Sequence, residues 1–261
     1  MNDCRQQTSS EGAEPKPRVK YARPPIQEAI CEIHFELPAA LDENAIARIK
    51  PVWQEDYPNQ QLAREQSLEL HLGLDRLDAR STPVGHKLIT RSQDGKNLAQ
   101  LGPRFLAVNR LKPYLGWEES FRDTITARLH DVRTLYSFER VERIGLRYIN
   151  RIDVPAKPVR WSDWLAVKLP VPGNLGDMGG TFQFHLEQTL SDHLQAKVNW
   201  VCLPTPAEAV TSFILDIDVI WRGTVGADAL GPVLESVHAP HRDLFEGYLL
   251  DKTRRLFHID P

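Results

Sequence analysis

The stretch RIGLRYINRI, Arg143 to Ile152, sets an arginine at every fourth position of a segment whose alternation reads as a β-strand. Successive side chains of a strand point to opposite faces. Arg143, Arg147 and Arg151 therefore share one side with Gly145 and Ile149, while Ile144, Leu146, Tyr148 and Ile152 share the other. One face is apolar and the other carries a basic row. Such a row grips a phosphate backbone or an acidic partner, or it is neutralised by the protein's own carboxylates.

The segment PPIQEAICEIHFELP, 24–38, offers those carboxylates. Ala29, Cys31, Ile33, Phe35 and Leu37 alternate with Glu28, Ile30, Glu32, His34 and Glu36, the pattern of a half-buried strand closed by Pro38. Glu28, Glu32 and Glu36 repeat at the spacing of the arginines. If the two strands pair antiparallel, the acids fall opposite or diagonal to the guanidinium groups and the row becomes an internal ladder. Asp216 and Asp218 of FILDIDVIW, 213–221, are further partners, on the polar side of a strand whose apolar side is Phe213, Leu215, Ile217, Val219 and Trp221.

Between these strands the period changes several times. LDENAIARIKPVWQEDY, 41–57, reads as a short helix with Asp42 as N-cap and Pro51 bending or shortening it. Strands over 67–75, 86–102 and 104–111 follow, the middle one folded at Asp94-Gly95, the strongest hairpin signal in the chain. Trp117, Phe121, Ile125, Leu129, Val132 and Tyr136 then recur at three and four residues, which predicts a long amphipathic helix. The order repeats after it: a strand at 142–155, a short helix at 161–167, strands at 181–190, 195–204 and 211–223, and helices at 226–237 and 241–257 separated at Pro240. The expected fold is α+β: two β-α-β(meander)-α units, 21–138 and 139–261, related by a pseudo-twofold duplication, forming a largely antiparallel sheet covered by long helices. Residues 1–20 are rich in Ser, Glu, Pro, Lys and Gln and are expected to form a flexible tail.

Composition excludes several classes. With 261 residues, 41% hydrophobic and 26% charged, the chain is ordinary for a globular protein. No apolar run nears the ~20 residues needed to cross a bilayer, and the N-terminus has no apolar leader core, so a cytoplasmic location and no membrane partner are expected. Cys4, Cys31 and Cys202 are far apart and lack CxxC spacing, which argues against a disulfide framework or a thiolate metal site. A net charge of −3 lacks the excess of a dedicated nucleic-acid binder, so only a local patch could do that work.

PPIQEAICEIHF, VNRLKPYLGWEESFR and above all RIGLRYINRIDVP resemble the recurring motifs of a sporadically distributed, functionally uncharacterised family of prokaryotic proteins of about this length. The resemblance runs from about Tyr21 to the C-terminal helix and implies a cytoplasmic prokaryotic protein, with no activity attached. In element order alone the chain resembles duplicated TATA-box-binding-like folds, an analogy of shape that does not confer function.

Other constellations are incomplete. The Asp216-Asp218 pair lacks a third ligand at recognisable spacing, so neither metal nor cofactor is expected. His238 and His241 straddle Pro240 and are expected not to share a helical face, with His241 near the N-cap of the last helix. His185 and Glu187 share a solvent-side strand face without an identifiable nucleophile. GNLGDMGG, 173–180, lacks the lysine of a phosphate loop and reads as a mobile loop. In VNRLKPYLGW, Trp117 reads as a helix anchor, whereas Arg110 and Lys112 are open to ligand contact. These readings favour a non-enzymatic binding or assembly module whose partner is another protein or a second copy. The alternative is a nucleic-acid-binding or processing accessory with Arg110, Lys112, Arg143, Arg147 and Arg151 as contacting cations.

Overall fold

Alternating apolar and polar residues lay nine strands into one antiparallel sheet in the order β2-β3-β4-β5-β1-β6-β9-β8-β7. The computed structural model describes residues 19–72, 77–156, 158–167, 180–203 and 210–258. Residues 1–18 of the expected tail and nearly all of 173–180 lie outside it. The strands are β1 (Ile26–Phe35), β2 (Asn59–Leu72), β3 (Leu77–Arg91), β4 (Asn97–Leu101), β5 (Phe105–Leu111), β6 (Arg140–Val154), β7 (Gln183–Thr189), β8 (Leu194–Leu203) and β9 (Thr211–Gly226). The α+β antiparallel expectation holds. β1 and β6 pair at the centre, and each has a strand of its own half of the chain on its other side, β5 and β9. Before the long helix the chain contributes five strands and after it four, among the described residues.

The helices cover one face of the sheet. Asp42 caps α1 (Glu43–Ala47) by accepting from the Ala45 N–H at 2.7 Å. Pro51 restarts the chain as α2 (Lys50–Trp53). A π-helical turn at Trp117–Phe121 opens α3 (Arg122–Tyr136), whose Ile125, Leu129 and Val132 face the core. β1 supplies Ala29, Cys31, Ile33 and Phe35 to that core, and β6 supplies Ile144, Leu146, Tyr148 and Ile152. Each large side chain so buried contributes roughly 1.5–3 kcal/mol. At the Asp94-Gly95 hairpin, Asp94 Oδ1 accepts from Ser92 Oγ and the Lys96 N–H while Gly95 takes φ +70°.

Two expectations are corrected. Residues 161–167 hold only a single 3-10 turn, Trp161–Asp163, because Leu165 leaves to bridge Leu249. Pro240 does not separate two helices: α4 runs unbroken from Leu230 to Tyr248, and the break comes before α5 (Asp251–Arg254). The stripe Leu234, Val237 and His241 is buried against the sheet on both sides of the proline, and packing outweighs the lost i to i−4 bond. Replacing Pro240 with Ala restores that bond and should raise stability by about 1–2 kcal/mol, read from urea midpoints. An unchanged or lower midpoint would contradict a continuous α4.

Candidate functional site

The arginine row lies on the sheet face that bears no helix among the described residues, and every guanidinium has a carboxylate. Arg143 Nη1 donates to Glu32 Oε1 of β1 at 2.5 Å. Arg147 grips Asp216 of β9 through two bonds, Nε to Oδ1 and Nη2 to Oδ2, each 2.7 Å. Arg151 Nε donates to Asp153 Oδ1 at 2.9 Å and its Nη2 reaches Ser212 Oγ at 3.2 Å. The ladder therefore draws on β1, β9 and β6 in turn. Glu28 instead accepts from Asn109 Nδ2 at 2.7 Å, and Glu36 stands 3.8 Å from Arg140.

Gly145 makes room for this network. Directly opposite Glu32, it would with a Cβ come within 3.2 Å of the Arg143 guanidinium and 3.4 Å of the Asp218 carboxylate. Hydrogen bonding from His34, and then the Arg143 charge, hold the Glu32 carboxyl below its ordinary range. Burial drives the Asp218 carboxyl up, against the pull of Arg143 and Arg147. With Glu28, Glu32, Asp153, Asp216 and Asp218 around them, the three guanidinium groups are outnumbered by acids.

The five candidate cations do not form one surface. Arg110 pairs with Ala29, whose side chain faces the helices, and bonds Asn97 Oδ1 at 2.7 Å on that opposite side. Lys112 is exposed beyond β5, close enough to Asp153 to help lower its carboxyl.

A second site emerges on the helix side. A cavity of about 290 Å³ lies between the inner face of β6, α4, the loop carrying Tyr114 to Glu119, and the segment Val19 to Ile26. Its floor is Tyr148 and Asn150, which alternation places on the inner face of the same motif that carries the arginines. The Tyr148 and Tyr114 hydroxyls bond each other at 2.8 Å, and the Tyr148 ring lies 4.4 Å from His241. Burial raises both hydroxyls well above the ordinary tyrosine range. His241 donates through Nε2 to the Ile217 carbonyl at 3.0 Å, and burial pushes it down to about 3. His238, three residues earlier on the unbroken helix, stacks on Trp117 at 4.4 Å and also lines the cavity. The two histidines thus share a site, contrary to the expectation from Pro240, and His241 is mid-helix rather than at an N-cap.

The chain before β1 closes the cavity. Tyr21 donates to the Glu246 carboxylate at 2.9 Å, and Lys20 pairs with Glu119 at 3.0 Å. Val19 and Lys20, assigned to the tail by composition, are therefore part of this wall. Gly116 belongs to it too: at φ +115° a Cβ would meet the Glu119 carboxylate at 2.0 Å. The sequence did carry one signal of the cavity, an asparagine on the apolar side of the β6 alternation. Trp117 anchors as expected, though to α4, its Nε1 donating to Glu235 at 3.0 Å.

Comparison with protein-family models finds no match, and a search of curated proteins finds none either.

Charge reversal at Arg147 should cost more than truncation, because it faces Asp216, only 10% exposed, with a second acid. Since the guanidinium is itself 44% exposed, Arg147→Ala should lose about 1–2 kcal/mol and Arg147→Glu roughly twice that. The double variant Arg147→Glu/Asp216→Arg should recover part of the loss in a double-mutant cycle, and no recovery would sink the pairing.

His241 sets a pH dependence. Above pH ~6.5 both states hold it neutral, while between ~6.5 and ~3 the unfolded chain binds a proton that the native site refuses, so stability falls with pH. From pH 7 to 4.5, His241→Leu should lose less stability than the wild type, by on the order of 3 kcal/mol. Equal losses in urea titrations at the two pH values would refute a buried neutral His241.

Proposed function

We propose that this protein is a non-enzymatic binding module of the prokaryotic cytoplasm whose ligand site is the cavity between β6 and α4. The observation that carries this reading is a cavity walled by Tyr21, Trp117 and Phe245, with charged residues such as Lys20, Glu119, Arg242 and Glu246 also lining it, over an uncharged polar floor of Tyr148, Asn150 and His241. Small-molecule sites are concave and mostly apolar, with a few placed polar groups that fix orientation. Acid–base catalysis works best with groups that titrate near the operating pH. Burial moves Tyr148 and Tyr114 up and His241 down, away from neutrality, so the floor suits recognition rather than proton transfer. The resemblance of RIGLRYINRIDVP to motifs of a prokaryotic family is what supports the cytoplasmic setting. Among the described residues, no helix is long and apolar enough to cross a membrane.

The nucleic-acid reading has less support. Phosphate contacts draw on cations free to displace counterions, whereas Arg143, Arg147 and Arg151 are matched by acids and Arg110 lies on the other face. The mixed charge of the open face suits a protein partner, or a second copy of the chain, better than a phosphate backbone.

Two measurements test the proposal. A small apolar molecule that enters the native cavity stabilises the fold by mass action, so near-saturating toluene should raise the melting temperature by a few degrees in a saturable manner. An unchanged or lowered melting temperature would remove the cavity reading. Labelled DNA or RNA should show no salt-sensitive anisotropy rise, and a clear rise at low salt would return the arginine row to first place.

A further inference from the structure

The cavity floor is rich in hydrogen-bond acceptors. Asn150 is 1% exposed, and its Nδ2 donates to the carbonyls of Tyr148 at 3.3 Å and Leu215 at 3.1 Å. Both amide protons are committed, while Oδ1 has no hydrogen-bond partner among the described residues. His241 gives its Nε2 proton to Ile217, so Nδ1 of the neutral ring is an acceptor, with no hydrogen bond to it among the described residues. The Tyr148–Tyr114 bond uses one hydroxyl proton and leaves one.

An uncapped buried amide oxygen is costly, and an aliphatic residue would extend the inner face of Leu146 and Ile152 without that cost. The carboxylates at the rim are already engaged. Glu246 accepts from Tyr21 and Arg254, and Glu119 pairs with Lys20. A cation would thus meet no free countercharge from these two acids, and an anion would meet lone pairs at the floor, while Arg242 in the wall is paired with Asp243 at 3.2 Å. The floor thus sets one spare hydroxyl proton against two open acceptors, Asn150 Oδ1 and His241 Nδ1, and the walls offer aromatic surface.

We propose that the cavity selects a small, flat, largely apolar molecule bearing a neutral ring N–H, which caps Asn150 Oδ1 while its faces pack against the aromatic walls. This inference rests on the binding-module reading above, and it adds the class of ligand. It also accounts for an asparagine where the strand pattern calls for an aliphatic residue: the fold gives up stability in the empty state that the bound donor returns.

The test uses the full chain and two probes of nearly the same shape, indole and 1-methylindole, the second lacking the N–H. By calorimetry the wild type should bind indole at least about tenfold more tightly, a difference of about 1.4 kcal/mol. Asn150→Leu should melt higher than the wild type without ligand and bind the two probes equally. If neither probe binds the wild type, the binding-module reading falls and this inference falls with it. Equal binding of both by the wild type keeps the cavity as a site and overturns the donor requirement, as would a tenfold preference retained by Asn150→Leu. The wild-type comparison decides the matter even where Asn150→Leu fails to fold.

Discussion

The antiparallel pairing of β1 with β6 is the contact on which the rest of the sheet depends. One meander hangs from β1 through β5, and β9, β8 and β7 hang from β6. Without the central pair, the inner faces of both groups would end at an open edge under α3 and α4. The pairing runs through Ala29 opposite Tyr148, Cys31 opposite Leu146 and Ile33 opposite Ile144, all buried. A slip of one residue by either strand would turn its charged side, Glu32 of β1 or Arg147 of β6, into that core, so burial itself enforces register. The charged face adds a second constraint, because Arg143 finds Glu32 only when Gly145 lies opposite that acid.

Seen this way, the arginines do more for specificity than for stability. Exposed pairs such as Arg151–Asp153 contribute little. The bidentate Arg147–Asp216 pair, with its acid nearly buried, fixes β9 beside β6 as Glu32 fixes β1 on the other side. An acidic chain can carry a basic row because the acids that outnumber it stand on the neighbouring strands.

Much of this was legible in the sequence. Period-two alternation locates β1, β6, β8 and β9, Asp94-Gly95 locates the β3–β4 hairpin, and the three-and-four spacing locates α3, since each pattern reports burial on one side of a local element. Asp216 was legible as a partner of Arg147 for the same reason. What failed depended on packing between distant elements. Pro240 carries a strong local penalty, and only the sheet beneath α4 offsets it. The separation of Arg110 from the arginine row depends on β5 pairing with β1 so that Arg110 shares a face with Ala29, which alternation within β5 cannot reveal. Asn150 was visible as a letter, but its meaning required knowing that the helices cover the side it faces.

The unbroken α4 connects these points. Because the helix continues through Pro240, His238 and His241 project from successive turns toward the same cavity, one stacked on Trp117 and the other bonded to the β9 carbonyl of Ile217. A break at Pro240 would free His241 from β9 and remove the wall that faces Tyr148. Three features here run against local preference: a proline within a helix, a neutral buried histidine and an asparagine with an uncapped oxygen. Each is costly by itself, and all of them border one cavity or shape its wall. Other costs lie away from it, in the indole N–H groups of Trp161 and Trp200, unpartnered among the described residues, and the left-handed Ser137 after α3, whereas these three meet at one concave site, the kind of place where a structure serves something other than its own stability.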